Sequence, residues 1–287
     1  FTSFFGGTSA YRDLPTYPFQ RKWYWLEDSV GMAEAEQNRF WQTVEDGGLS
    51  ELLGVDPQTP LSEVLPVLSD WRNRHDSRAT VDSWRYRVTW KALPGGGSRE
   101  LSGHFLVLVP ETGHPLVDEV CRTLEGAGAT VTRRELTAAD SDRRTLARRL
   151  ADVPRPLDRV VSLVGLDERP HPDHSVVPVG TALTLALVQA LEDAGVDAPL
   201  WCLTGGAVST GDDDPVTGVA QNLVWGLGRV AALEYPRRWG GLLDLVTGFD
   251  PAALVTALAG DGDEDQLALR PGAAYGRRLE RAPLPDG

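Results

Sequence analysis

The chain has 287 residues, of which 41% are hydrophobic, 24% charged and 8% aromatic, the make-up of a folded chain and not of a disordered one. That length is more than one small domain needs and leaves little room for two large ones. A formal net charge of −13 speaks against nucleic acid and against an anionic membrane as partners. Two cysteines, Cys121 and Cys202, cannot make a disulfide framework or a cysteine-based zinc site. The longest apolar stretch, Val179 to Leu191, contains Thr181, Thr184 and Gln189 and is too short to span a bilayer. The first residues carry no basic n-region and no cleavage-type apolar region, so the expected location is cytoplasmic. Of the 28 basic residues only Lys22 and Lys91 are lysines, a skew read mainly as coding bias.

Three textures follow one another. Residues 1–30 are aromatic-rich and irregular, with Pro15 and Pro18 too close together for a continuous helix. Their aromatic side chains need cover, which an extended segment finds by lying along another domain. Residues 31–83 read as helical. Ala33, Gln37, Phe40, Trp41 and Val44 recur at helical spacing, and Gly47-Gly48 ends that pattern. A short turn spans Leu49 to Leu53. A further helical pattern starts after Pro60 with Leu61, Val64, Leu65, Leu68 and Trp71, and Pro66 falls in its first turns, where proline is tolerated best.

Residues 84–287 alternate strand and helix. Trp84, Tyr86, Val88 and Trp90 alternate with Arg85, Arg87 and Thr89, the period of a half-buried strand. Apolar runs at 105–109, 160–164 and 200–203, and weaker ones at 130–136 and 242–245, predict further strands. Helices are expected at 115–127, 141–150, 176–194, 218–233 and 251–258, and two last strands at 266–270 and 275–279. Short apolar strands separated by helices imply an α/β fold with a Rossmann-like parallel sheet flanked by helices.

Such a sheet prompts a search for a cofactor loop. The first βα turn should carry G-x-G-x-x-G, so that backbone can approach a pyrophosphate at a helix N-terminus. The turn after Val109 reads Pro110-Glu111-Thr112-Gly113-His114-Pro115, with one glycine and an acid where phosphate would sit. Gly205-Gly206 follows a strand, but Asp212-Asp213-Asp214 lies just beyond, and a structural tight turn is the favoured reading. Reductases of the short-chain type use a tyrosine with Lys or Asn four residues later. The six tyrosines are followed at that distance by Pro15, Arg21, Asp28, Trp90, Trp239 and Leu279, so none has the partner that positions a proton donor. His171-Pro172-Asp173-His174 lacks a third ligand and reads as a solvated loop. Arg143, Arg144, Arg148 and Arg149 read as a solvated helix face. Cys121 and Cys202 read as packing residues. No catalytic, cofactor-binding or metal-binding residue is expected in this chain.

Several stretches resemble the middle of a bacterial modular type I polyketide synthase. Leu14 to Arg21 is similar to the linker that follows an acyltransferase and runs back over the ketosynthase–acyltransferase surface. Asn38-Arg39-Phe40-Trp41, Leu53-Gly54-Val55 and on to Trp71 resemble a dimerization element found before some ketoreductases. Thr80 to Trp90, Gln221 to Glu234, Arg237 to Leu245, Glu264 to Arg270 and Arg277 to Leu279 resemble a ketoreductase structural subdomain. The resemblance implies a truncated Rossmann unit, non-catalytic, that supports a second subdomain carrying the NADPH loop and the active site. It also implies that the chain ends about where that second subdomain begins, and a module without a dehydratase.

Two matters stay open at this level. Ala33, Gln37, Phe40, Trp41 and Val44 form a stripe that pairs two copies of the chain, or else Phe40 and Trp41 pack back on the helix Leu61–Trp71 of the same chain; the resemblance favours the homodimer. A two-fold contact uses one patch twice, so one stripe suffices. The alternative to a scaffold is a stand-alone NADPH-binding reductase or a degenerate ketoreductase.

Overall fold

A computed structural model describes residues 40–95, 100–259 and 264–282. The chain divides into two compact units, Phe1–Thr80 and Val81–Gly287. The expected linker 1–30 lies outside the described residues, as do Ala33 and Gln37.

In the first unit, helix α1 is described over residues 40–45, and the chain then turns at Gly47, whose φ of 77° is the left-handed conformation that glycine adopts without strain. Helix α2, Leu49–Leu53, closes on Gly54 at φ 66°. Helix α3 runs over Leu61–Trp84, well past the expected stretch of Leu61 to Trp71. Between Val67 and Leu93 no glycine or proline interrupts the backbone, and Arg72 and Asp76 support the helix as an i,i+4 pair. Trp84 therefore ends a helix, 72% exposed, and does not start the strand as its spacing predicts.

The second unit is an eight-stranded sheet in the order β1-β8-β7-β6-β5-β4-β2-β3. Its strands are β1 Tyr86–Ala92, β2 His104–Pro110, β3 Thr130–Leu136, β4 Arg159–Ser162, β5 Leu200–Gly205, β6 Trp239–Leu245, β7 Gln266–Arg270 and β8 Ala273–Arg281. Pairings from β3 through β7 are parallel, and β7–β8 and β8–β1 are antiparallel. The helices are α4 Pro115–Gly126, α5 Arg143–Ala151, α6 Val179–Asp193, α7 Asn222–Glu234 and α8 Pro251–Ala259. This is the mostly parallel, Rossmann-like sheet expected, with one change at its rim. β1 is an edge strand with Tyr86 and Val88 exposed, because it has β8 on one side and, among the described residues, no strand on the other.

Strand β2 shows why the fold needs helices on both sides. Phe105, Val107 and Val109 join one core with α4 and α8, while Leu106 and Leu108 join a second core with α5, α6 and α7. A strand buried on both faces reads as an unbroken apolar run, as this one does. Helix α4 starts where Pro115 occupies the first turn and His114 Nδ1 accepts from the Leu116 amide at 3.2 Å. The α6 N-terminus presses on the turn after β4. The Gly180 amide donates to Asp167 O at 2.9 Å, and a Cβ on Gly180 would collide with Val164 O.

Two glycine replacements should separate packing from propensity. Gly180→Ala is expected to destabilise by about 2 kcal/mol or more through overpacking. Gly226→Ala, on α7 where nothing lies within 4 Å of the added methyl, is expected to stabilise by about 0.5–1 kcal/mol. Urea unfolding of the two variants checks both signs.

Candidate functional site

In a sheet of this type, ligands bind at the carboxyl ends of the strands, where the strand order reverses. Here the chain goes from β2 outward to β3 and then back to β4 on the other side, so the crevice lies between the loops that follow β2 and β4. The residues standing there are Glu111, His114, Asp167, Glu168 and Arg169. Arg169 Nη2 meets Glu111 Oε1 at 2.6 Å and Asp167 Oδ2 at 2.7 Å, and its Nε reaches Asp167 Oδ1 at 2.9 Å. Hydrogen bonds that it donates to Asp167 first, and to Glu111 second, hold this guanidinium charged well above its ordinary range. Asp167 is buried, and its Oδ1 also accepts the Arg169 amide at 3.1 Å.

The next loop is closed in the same way. The Gly205 amide donates to Gln221 Oε1 at 2.7 Å, and Gln221 Nε2 donates to Glu168 Oε1 at 2.8 Å. Gly206 has φ 65°, and the space a Cβ would take is filled by Thr217 Oγ1 of the same loop. The Thr217 and Gly218 amides donate back to Gly206 O at 2.9 and 2.8 Å. The glycines that could have cradled a phosphate thus admit the chain's own backbone and side chains. The amide of Leu116 at the start of α4 is taken by His114, whose pKa burial lowers, with Glu168 acting in the opposite sense. The groups that line this crevice are the carboxylates of Glu111 and Glu168, with His114 and an arginine held between Glu111 and the buried Asp167.

Beneath the loop after β5 lies a polar network that the sequence reading did not find. Asp244 of β6 is fully buried and accepts from Thr204 Oγ1 at 2.7 Å, the Ala207 amide at 2.7 Å and Arg270 Nη2 at 2.9 Å. Trp225 Nε1 donates to Thr204 Oγ1 at 3.0 Å. Arg270 of β7 also donates to Val208 O and, through Nε, to Asp214 Oδ2, both at 2.8 Å. Burial raises the Asp244 pKa above the ordinary carboxylate value; its hydrogen bonds and Arg270 offset only part of that. For Asp214 burial also pushes upward, but the Thr210 amide, the Arg270 guanidinium and the Thr210 hydroxyl outweigh it and leave the pKa lowered. The signal in the sequence was an aspartate inside the apolar run Leu242–Leu245 and an arginine ending Leu267–Arg270, on strands that turn out to be neighbours.

The remaining candidates have structural partners. His171 Nε2 lies 2.8 Å from Ser141 Oγ, and its Nδ1 accepts from the Asp173 amide at 3.2 Å. Among the described residues no three metal-ligating side chains gather. The arginine face of α5 is less free than its sequence reads. Arg143 is bidentate to Asp193, Arg149 pairs with Asp140, and Arg148 reaches Thr145 Oγ1. Cys202 is buried with its thiol pushed up to about 12 by burial, and the same cause raises Cys121 on α4. In the first unit, Phe40 stacks on Trp71 at 5.2 Å, and Trp71 stacks on His75 at 5.0 Å. Trp41 meets the Phe40 ring edge-on and is 54% exposed, and Val44 is half-buried.

Replacing Arg270 by Met should cost about 3–5 kcal/mol at neutral pH, because Asp244 is left charged and uncompensated in the core. The folded state favours the protonated form of Asp244, so the penalty for burying its charge holds above its raised pKa and disappears below it. The deficit of Arg270→Met should therefore narrow as the pH falls. Urea unfolding at a series of pH values reads this.

Comparison with known proteins places this geometry. Residues 88–279 match the family model described as polyketide synthase extender module SpnB, Rossmann fold domain, and residues 37–78 match the polyketide synthase dimerisation element domain. Polyketide synthase GfsA of Streptomyces halstedii is 46% identical over 319 residues, and the pikromycin synthase component PikAII of Streptomyces venezuelae 42% over 288. The matches cover 100% and 97% of this chain but only 4% and 6% of those proteins. Among solved structures, a C2-type ketoreductase from a modular polyketide synthase is 50% identical with a TM-score of 0.65, over 71% of this chain and 44% of its own. An A-type ketoreductase is 41% identical with a TM-score of 0.64, over 70% and 43%. With a family model over most of its length and a dimerisation-element model before it, the chain belongs to the Rossmann-fold family of polyketide synthase extender modules, in the ketoreductase region of the module.

Proposed function

We propose that this chain is a non-catalytic scaffold of a modular polyketide synthase, acting in the cytoplasm. Residues 31–83 pair two copies into a homodimer, and residues 84–287 form the structural subdomain that supports a catalytic ketoreductase subdomain, where the parent synthase uses NADPH. Residues 1–30 serve as the post-acyltransferase linker and lie on the ketosynthase–acyltransferase surface. The observation that carries the reading is the switch-point crevice. Glu111 and Glu168 line it, and Arg169 is spent on Glu111 and the buried Asp167. A site that bound dinucleotide would need the reverse, with free backbone donors and little negative charge. Tyr86 also lacks the setting of a proton donor, since it lies on the edge strand under the guanidinium of Arg281.

Pairing is assigned to Ala33, Gln37, Phe40, Trp41 and Val44. In support, the dimerisation-element match includes Gln37, Phe40, Trp41 and Val44, and Trp41 offers a large exposed apolar surface next to Phe40. Phe40 also serves its own chain through Trp71, so Trp41 is the cleaner probe.

Two measurements test the reading. In a fluorescence titration the purified chain should show no saturable binding of NADPH and should not reduce ketones; saturable binding sinks the scaffold assignment. In sedimentation equilibrium, Trp41→Asp should shift the chain toward monomer by roughly tenfold or more in Kd, the loss of about 1.5–3 kcal/mol of apolar burial. An unchanged association constant in a folded variant removes the pairing face.

A further inference from the structure

β3 closes the sheet at the end opposite β1, with β2 on one side and, among the described residues, no strand on the other. In a strand the N–H and C=O of one residue point to the same side, and those of the next residue to the other. The Thr130 amide donates to Gly103 O, and Leu136 O accepts from the Glu111 amide. Thr130, Thr132, Arg134 and Leu136 therefore turn their backbone groups toward β2, and Val131, Arg133 and Glu135 turn theirs outward. Arg149 Nη2 covers Glu135 O at 3.0 Å. The other outward groups face no strand.

An open edge is a template for pairing with another chain, and proteins blunt it with proline, a bulge or a helix laid across it. β3 contains no proline or glycine, and its register with β2 runs unshifted from His104 opposite Thr130 to Pro110 opposite Leu136. Its two arginines differ in their surroundings. Arg133 lies on the α4 side and pairs with Asp118 at 3.1 Å. Arg134 lies on the α5 side, exposed, with no carboxylate within ion-pair distance among the described residues. There it borders a cavity of about 200 Å³ whose walls include Leu136, Leu146, Leu150 and Val153. Arg149 and Asp152 border the same cavity, but Arg149 is held by Asp140, and Asp152 pairs with neither arginine. A free guanidinium, an apolar hollow and an open backbone edge thus adjoin one another.

We propose that the β3 edge docks an extended segment of another polypeptide, which adds as a strand along Val131, Arg133 and Glu135, sets one carboxylate against Arg134 and lays an apolar side chain, two residues away, over the cavity. Main-chain hydrogen bonds supply the affinity, and the side chains on the α5 face select the partner. The carboxylate is the charge that Arg134 lacks within its own chain. A second copy of this chain suits the edge less well, since full two-fold overlap of β3 on β3 sets Arg133 against Arg133.

The test uses the full chain and a fluorescently labelled synthetic peptide, Thr-Glu-Thr-Val-Thr-Glu-Thr, whose Glu and Val side chains share a face when it is extended. Anisotropy should show saturable binding that weakens at high salt, and the same peptide with Lys in place of Glu should bind at least about tenfold more weakly. Arg134→Glu should lose affinity to a similar degree with its thermal unfolding unchanged, because Arg134 has no ion-pair partner to lose. Amide hydrogen exchange gives a readout that needs no variant. On addition of the peptide, exchange should slow at Val131, Arg133 and Glu135 and stay the same at Thr132 and Arg134, which are already bonded to β2. The proposal is overturned by an absence of saturable binding, by equal binding of the Lys peptide, by an Arg134→Glu chain that binds within twofold of the native one, or by unchanged exchange at the three outward amides. Slow exchange at those amides in the free chain overturns it as well, since the edge is then already covered.

Discussion

A carboxylate placed in the middle of a sheet must be compensated where it stands, and Asp244 sets much of the architecture of the sheet's carboxyl end through that demand. Removing a charge from water costs several kcal/mol unless hydrogen bonds and an opposite charge replace the solvent. Thr204 on one neighbouring strand and Arg270 on the other supply them, together with the Ala207 amide. Arg270 is then committed to the loop as well, through Val208 O and Asp214. One buried ionised pair therefore joins β5, β6, β7 and the loop 206–218 into a closed unit. A half-satisfied network of this kind costs more than an apolar core would, so its members are interdependent.

The closure has a consequence for chemistry. The carboxyl ends of parallel strands are the place where this type of sheet holds ligands, because loops and helix N-termini converge there with free amides. Here those amides are used internally. Leu116 N is capped by His114, Gly205 N by Gln221 and Ala207 N by Asp244. What remains open toward the crevice is the carboxylates of Glu111 and Glu168 beside an arginine that Glu111 and the buried Asp167 hold. In the scaffold reading proposed above, the same internal contacts that close the loops make them poor hosts for phosphate.

How far the sequence discloses this depends on the range of each interaction. β3 and β7 fall at the residues expected, Thr130–Leu136 and Gln266–Arg270, and α4 begins at Pro115 as expected, because runs of apolar residues and a proline are local signals. Trp84 misleads for the same reason. Its spacing continues the strand pattern of Tyr86, Val88 and Trp90, yet no local breaker stops α3 before it. The solvated reading of the α5 arginines misses that Arg143 finds Asp193 50 residues away. Asp244 and Arg270, 26 residues apart, meet only once β6 and β7 are adjacent. Absence of cofactor motifs is readable from spacing alone; the contacts that fill the crevice in their stead are not.

In the N-terminal unit one aromatic cluster serves the chain itself and, in the proposed homodimer, the assembly as well. The sequence leaves open whether Phe40 and Trp41 pack on the same chain or pair with a second one; Phe40 packs on its own chain, and Trp41 keeps an open face for the proposed pairing. Phe40 is committed to Trp71, whose other neighbour is His75, and that stack fastens α1 to α3. Trp41, on the next residue, is turned away and keeps more than half of its surface open while touching Phe40 edge-on. A tryptophan steadied from behind by an aromatic stack loses little conformational freedom on binding, which lowers the cost of association. In the proposed homodimer the internal stack is therefore what makes a short helix usable as an interface. A contact built on so short a helix is expected at the lower end of stable interfaces, its strength set by how firmly Phe40 and Trp71 hold Trp41 in place.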